Sequence, residues 1–177
     1  LITGGAGFLG FNACTYFKEK GWDVVAYDNL SKFELVKAGY DAHKVRQFVV
    51  KSLEDIGIDN RVVDISEFAF LKEVEGCDLV LHCAAQPTMT LSISDPQKDF
   101  AANVMGSFAV LESCRKFKVP VVLCSTIHIY GNKINDCIFE REDAFVGPTI
   151  HEDWPILDGY ISPLHASKVA MENYARA

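Results

Sequence analysis

Positive charge is scarce in this sequence: 17 Lys and Arg stand against 24 Asp and Glu, a formal charge of -7 and a pI near 5.2. No local basic patch offsets that average, which disfavours nucleic acid and an anionic membrane surface as partners. Long apolar runs are missing too. Stretches such as 79–81 and 119–123 fall far short of the ~20 residues a spanning helix needs. No charged-then-apolar leader precedes the first motif, so the expectation is a cytoplasmic protein with no membrane association. None of the six cysteines (Cys14, Cys77, Cys83, Cys114, Cys124, Cys137) sits in a CxxC spacing. Most lie in apolar runs where a thiol packs as a small hydrophobe, which fits a reducing compartment and predicts neither a metal site nor a disulfide framework. Internal repeats and low-complexity tracts are absent as well.

What is present is apolar content enough, 49% of 177 residues, to bury one substantial core, so a single domain over 1–177 is expected. Both ends read as cut. The chain opens on Leu1-Ile2-Thr3, the last residues of a buried strand, and stops at Ala177 inside a helical pattern with no glycine cap or following proline. Apolar runs of strand length recur at 23–28, 61–64, 78–83 and 120–125. They do not alternate with polar residues, which is the pattern of parallel strands covered on both faces. Helical periods fall between them at 8–20, 66–74 and 96–117, the last carrying Phe100, Val104, Phe108 and Leu111 as an apolar stripe expected to face the core. This order predicts a doubly wound α/β sheet of the Rossmann type. Two stretches break the alternation: 32–60, with an extra helix expected around 42–56, and the irregular 131–160, whose length marks it as functional or misassigned.

The run Thr3-Gly4-Gly5-Ala6-Gly7-Phe8-Leu9-Gly10 sets glycines at 4, 7 and 10, after a strand and before an amphipathic helix. Glycine there lets backbone N–H groups and the positive helix N-terminus approach a pyrophosphate; the bland alternative is a merely tight turn. Asp28 ends the next strand, 24 residues after Gly4. A carboxylate at that place accepts hydrogen bonds from ribose hydroxyls and repels a 2′-phosphate, favouring NAD over NADP, although Lys32 stands close by.

With these motifs the chain resembles the extended short-chain dehydrogenase/reductase family, also called the NAD-dependent epimerase/dehydratase family. The family's TGxxGFxG loop corresponds to Thr3 through Gly10, its DNL stretch to Asp28-Asn29-Leu30, and its adenine-contacting pair to Asp64-Ile65. His82-Cys83-Ala84-Ala85-Gln86 is similar to the HxAA segment whose backbone lines the cofactor, and Asn103 to the structural asparagine. The resemblance implies NAD held by Gly4, Gly7, Phe8, Leu9, Gly10, Asp28, Asn29, Leu30, Asp64, Ile65, Ala84, Ala85, Gln86, Asn103 and Lys168. It also implies a CDP- or UDP-hexose substrate touched by Gln86, Thr88 and Thr126, with the C-terminal substrate lobe largely outside this chain. Pairing of subunits through helices around 96–117 and 164–177 is implied too. Within the family, Gln86 to Asp95-Pro96, then Asp99-Phe100 and Asn103-Val104, is most similar to the pattern of the CDP-paratose 2-epimerases, or CDP-tyvelose epimerases.

The family's chemistry takes a proton from a sugar hydroxyl while hydride leaves the same carbon for the nicotinamide, forming a transient keto-sugar. A tyrosine takes that proton, supported by a lysine one helical turn later and a hydroxyl at a strand end. Cys124-Ser125-Thr126-Ile127-His128-Ile129-Tyr130-Gly131 resembles the family's SSTxxVYG, with Thr126 as the hydroxyl, and 162–168 resembles SPYGxSK, with Lys168 as the lysine. Ser162 suits the N-cap and Pro163 the first helical position. The tyrosine is missing: position 164 is Leu. His165 lies about 100° away around the helix, and Tyr160 reaches in only from the loop before Pro163, so each is an imperfect substitute. Ile127 and His128 replace the Asp-Glu pair of the sugar dehydratases, favouring epimerisation over elimination. A 4-epimerase, decarboxylase or reductase of the same fold, or a catalytically silent NAD-binding homologue, remain open. The charge run 140–143 reads as solvated surface, and His151, Glu152 and Asp153 lack a second cluster that would make them metal ligands.

Overall fold

The computed structural model describes residues 1–31, 36, 39–67, 72–147 and 149–177. Lys32, and the middle of the helix expected at 66–74, lie outside the described residues. Five strands form one parallel sheet: β1 Ile2–Thr3, β2 Val25–Asp28, β3 Asp59–Val62, β4 Val80–His82 and β5 Val121–Leu123. Their spatial order is β3-β2-β1-β4-β5, the doubly wound Rossmann-type arrangement. Chain order reverses direction between β1 and β4, and ligands of open α/β sheets bind in the crevice beyond the strand ends at that point.

Alternate strand residues feed opposite faces, as the pleat requires. Ile2 and Ala26 pack with Cys14, Val24, Leu53 and Ile58 under helices α1 (Phe8–Glu19) and α2 (Ala42–Asp55). Tyr27 and Val80 pack on the other side with Ile65, Val74, Val110 and Cys114. The extra helix expected at 42–56 is α2, started by Asp41, whose carboxylate accepts the His43 N–H. The strand read at 61–64 begins two residues earlier, which leaves Asp64 beyond the strand end. The described ends of the 66–74 segment are short 3₁₀ turns, Ile65–Glu67 and Lys72–Val74, rather than α-helix.

The stripe at 96–117 is corrected by the structure. That segment is not one uniform α-helix: after α3 (Met89–Ser94) come α4 (Pro96–Phe100), a π-helical turn (Ala101–Met105) and α5 (Gly106–Phe117). Phe100 and Phe108 are 53% and 39% exposed, so they do not form the core. The buried face is instead Asn103, Gly106, Ser107, Ala109, Val110, Ser113 and Cys114. Small residues let the helix lie close to its neighbours; a Cβ on Gly106 would sit 2.9 Å from a side-chain carbon of Ile65.

The irregular 131–160 stretch carries its own structure, a 3₁₀ segment (Lys133–Cys137) and an antiparallel hairpin of β6 (Phe139–Arg141) and β7 (Ala144–Val146). Its charged run is exposed, as read. The last element is α6 (Pro163–Arg176), with Ser162 as N-cap and Pro163 in its first turn. Among the described residues no helix is long and apolar enough to cross a membrane.

Candidate functional site

β1 runs directly into the glycine loop. Gly4 has φ +71°, and a Cβ there would lie 2.6 Å from the backbone nitrogen of Ala84; a Cβ on Gly10 would collide with the carbonyl of Gly4. Only glycine allows this loop to close on itself and on the β4 end. The Gly7 N–H donates to Gly4 O (2.9 Å) and the Gly4 N–H to Tyr27 O (2.6 Å). Helix α1 then starts after Gly7 with no side chain capping it. Its first-turn N–H groups lack intrahelical partners by geometry and carry the positive end of the helix dipole.

Asp28, at the end of β2, accepts the Ala6 N–H on Oδ2 (3.0 Å) and the Leu30 N–H on Oδ1 (2.7 Å). It therefore braces the glycine loop and fixes the turn in which Leu30 adopts φ +53°. Asp64 accepts from the Ser66 N–H and hydroxyl and from Asn29 Nδ2. Burial, the largest influence, pushes its carboxyl up, but these hydrogen bonds together outweigh burial and hold it below the ordinary range.

On β4, His82 is buried between the Thr3 hydroxyl (2.6 Å to Nδ1) and the Ser107 hydroxyl (2.9 Å to Nε2). Burial, aided by the Lys168 charge, pushes it down to about 3, so it is neutral. His82 is thus a core histidine with both ring nitrogens satisfied. Thr3 Oγ1 also accepts the Ala84 N–H. Gln86 is clamped by the buried Asn103: its N–H donates to Asn103 Oδ1 (2.8 Å) and its carbonyl accepts from Asn103 Nδ2 (3.0 Å). Gln86 Nε2 donates in turn to Thr88 O and to Asp99 Oδ1.

These pieces converge on one cleft of about 490 Å³ at the β1–β4 reversal. Of the residues expected around a cofactor, Gly4, Gly7, Phe8, Leu9, Gly10, Asp28, Asn29, Asp64, Ile65, Ala84, Ala85 and Gln86 line it. Leu30, Thr88, Asn103, Thr126 and Lys168 do not. The cleft also takes in residues that the motifs did not mark, among them Tyr27, Ser66 and Lys98. Ser66, two after Asp64, carries a readable signal, since a hydroxyl at that offset closes a turn on an aspartate.

Beyond the strand end of β5, Thr126 caps a 3₁₀ turn (Ile127–Tyr130) by accepting the His128 N–H. Lys168 is buried on α6 and donates to the carbonyl of Cys124 at 2.9 Å. Burial pushes its ammonium down, opposed by Cys124, Asp99, Cys83 and Glu172. Leu164, one turn before it, is 4% exposed and offers no polar group. His165 is equally buried. Its Nδ1 accepts the Ser162 N–H (3.0 Å), which puts its proton on Nε2, and Nε2 has no partner among the described residues. The ring stacks on His128, centroids 5.4 Å apart, and burial followed by His128 lowers its pKa. Tyr160 is 60% exposed. Among the described residues no three His, Cys, Asp or Glu side chains gather as metal ligands.

A model of the NAD dependent epimerase/dehydratase family matches residues 1–177. The chain belongs to that family. It is 30% identical to CDP-paratose 2-epimerase of Salmonella typhi, over 98% of this chain and 51% of the relative. It is 29% identical to UDP-glucose 4-epimerase of Bacillus subtilis, over 99% and 46%. The solved UDP-glucose 4-epimerase of Thermus thermophilus, a complex with NAD, superposes with a TM-score of 0.68 at 30% identity, covering 99% of this chain and 49% of that one. The chain thus spans about half the length of the relatives it matches. Membership accounts for the ordered recurrence of the glycine loop, Asp28, Asp64 and the Ala84-Ala85-Gln86 segment around one cleft.

Proposed function

We propose that residues 1–177 form the NAD-binding domain of a nucleotide-sugar epimerase of the CDP-paratose 2-epimerase kind, acting on a CDP- or UDP-hexose. The carrying observation is the cleft, where an uncapped helix N-terminus and two carboxylates at the ends of β2 and β3 face one space. The glycine loop is a cradle that added Cβ atoms would fill, which fits a pyrophosphate laid against backbone. Asp28 accepts two backbone N–H groups and keeps lone pairs for the hydroxyls of an adenosine ribose, while Asp64, held below the ordinary carboxylate range by its donors, stands with Ile65 where the adenine would lie. When bound, NAD supplies a hydride acceptor and donor. The chain's own share is to orient the sugar and stabilise charge on its oxygen: Thr126 Oγ1 hydrogen-bonds the sugar hydroxyl, Gln86 and Thr88 position the sugar, and the Lys168 ammonium favours the deprotonated oxygen. Asn103 contributes at one remove by fixing Gln86. A reducing, cytoplasmic setting suits six free thiols. Self-association through α4–α5 and α6 belongs to the same reading.

Leu164 favours a second reading, a NAD-binding homologue without turnover, because the position one turn before Lys168 is buried and apolar. The two separate in one assay on the full-length protein: interconversion of CDP-paratose and CDP-tyvelose by wild type and by Leu164→Tyr, with NAD binding measured in parallel. The epimerase reading expects Leu164→Tyr to raise turnover at least tenfold. NAD binding with no turnover in either protein upholds the silent homologue, and no NAD binding overturns both.

A further inference from the structure

Cys83 and Cys124 stand 41 residues apart in sequence, and their sulfurs lie 3.5 Å apart. The sheet brings them together. His82 on β4 pairs with Leu123 on β5, and the ladder continues one step with the Cys124 N–H donating to His82 O at 3.1 Å. The two cysteines are therefore neighbours on parallel strand ends, about 4.8 Å apart in backbone as adjacent strands are, with side chains on the same face. That separation falls inside the window a disulfide spans. Cys83 also lines the cleft, so a small oxidant reaches it, and both residues are half-buried rather than sealed in the core.

We propose that Cys83 and Cys124 form a dithiol at the base of the cleft that low-molecular-weight disulfides such as oxidised glutathione convert to an intramolecular disulfide. The Cys83 thiol loses its proton and its sulfur attacks one glutathione sulfur. The glutathione S–S bond breaks, and the first glutathione leaves as a thiolate that takes up that proton. Cys124, deprotonated in turn, attacks Cys83 in the mixed disulfide; the protein S–S bond forms and the second glutathione leaves as a thiol. Two protein thiols are oxidised by two electrons and one disulfide is reduced to two thiols. Burial, then Cys124 and Cys14, pushes the Cys83 thiol up to about 12, with Lys168 pulling the other way. Entry is accordingly slow at neutral pH and faster under alkaline conditions.

The location gives the bond leverage. The Cys83–Ala84 backbone is what a side chain on Gly4 would strike, and the carbonyl of Cys124 is the acceptor for Lys168. A crosslink between these two residues ties the glycine loop's support to the lysine's anchor. The thiol chemistry stands whether or not the protein is an epimerase.

The test is peptide mapping of the native full-length protein after exposure to millimolar oxidised glutathione at pH 8.5. The expected product is a Cys83–Cys124 linked peptide as the dominant disulfide. Cys124→Ser should lose the crosslink and retain glutathione on Cys83. On wild type alone, a trivalent arsenical, which bridges close dithiols, should protect both cysteines from alkylation at one equivalent. A stable Cys83–glutathione adduct without ring closure in wild type, a dominant crosslink through any other pair, or no modification overturns the proposal.

Discussion

His82 shows how burial decides the state of one side chain. Its two nitrogens are each met by a hydroxyl, and burial followed by the Lys168 charge pushes it down to about 3. The unfolded chain has an ordinary histidine, near 6.5. Between those values the unfolded state binds a proton that the folded state refuses, so this group's stabilisation is complete above about 6.5 and lost as pH falls toward 3. The slope approaches about 1.4 kcal/mol per pH unit within that window. Denaturant titrations at pH 7, 6, 5 and 4 should show wild type losing this component and His82→Gln lacking it. Parallel pH profiles for the two proteins would show that His82 is not held neutral. The HxAA pattern marked this residue but not its state, which turns on Thr3 and Ser107, 79 and 25 residues away. The glycine loop, by contrast, was legible because its requirement is local: backbone must pass where a Cβ would collide. Cys83 and Cys124 were unreadable as a pair for the opposite reason, since only the strand register joins them.

Among the elements, the continuous helical region from Pro96 to Phe117 separates what pattern reveals from what it hides. Its existence and extent were plain from periodicity. Its inward face was misread, because the apolar stripe through Phe100 and Phe108 points outward while a mixed set of small and polar residues points in. The π-helical turn at Ala101–Met105 adds a residue to the turn and shifts the phase of everything after it, a change that a fixed 3.6-residue period does not follow. The buried polar set has its own logic. Asp99 is 1% exposed, and its Oδ1 accepts from Gln86 Nε2 at 3.2 Å and Asn103 Nδ2 at 2.9 Å. Burial, outweighing Ser167, Asn103, Gln86 and Lys168, pushes its carboxyl above the ordinary range. A raised carboxyl favours the protonated folded state, so its ionisation withdraws stability as pH rises through the usual carboxylate range and beyond. Asp99→Asn keeps the Oδ1 acceptor and removes the charge. Melting temperatures should show Asp99→Asn at or above wild type at pH 8, by a few degrees, with the gap closing toward pH 4. A lower melting temperature for Asp99→Asn at pH 8 would mean that the carboxylate is a net stabiliser. Asn103, which clamps Gln86 from the same turn, was found from the family pattern, but its bonding to both sides of the Gln86 backbone was not.

For the molecule as a whole, what the apolar stripe does if it is not core becomes the question. Phe100, Met105 and Phe108 stand exposed on α4, the π turn and α5, and Tyr174 joins them from α6. The Phe108 and Tyr174 rings meet edge to face, 5.6 Å between centroids, so the two helices present one aromatic band. Exposed aromatic surface of this kind is what the proposed subunit pairing would cover. A second copy of the same chain is the occupant that the proposed subunit pairing supplies: two helices meeting their equivalents bury the band by two-fold symmetry, each residue counted twice. The symmetry doubles the effect of one charge. Phe108→Glu places two carboxylates in the apolar centre of such an interface, each uncompensated, where burial of an unpaired charge costs several kcal/mol. Sedimentation velocity of the full-length protein should therefore show a dimer for wild type and a shift of at least tenfold toward monomer for Phe108→Glu. Lys116→Glu, at the far exposed end of α5, should leave assembly unchanged. Were Phe108→Glu to assemble as wild type does, the band would have to face something other than a second copy.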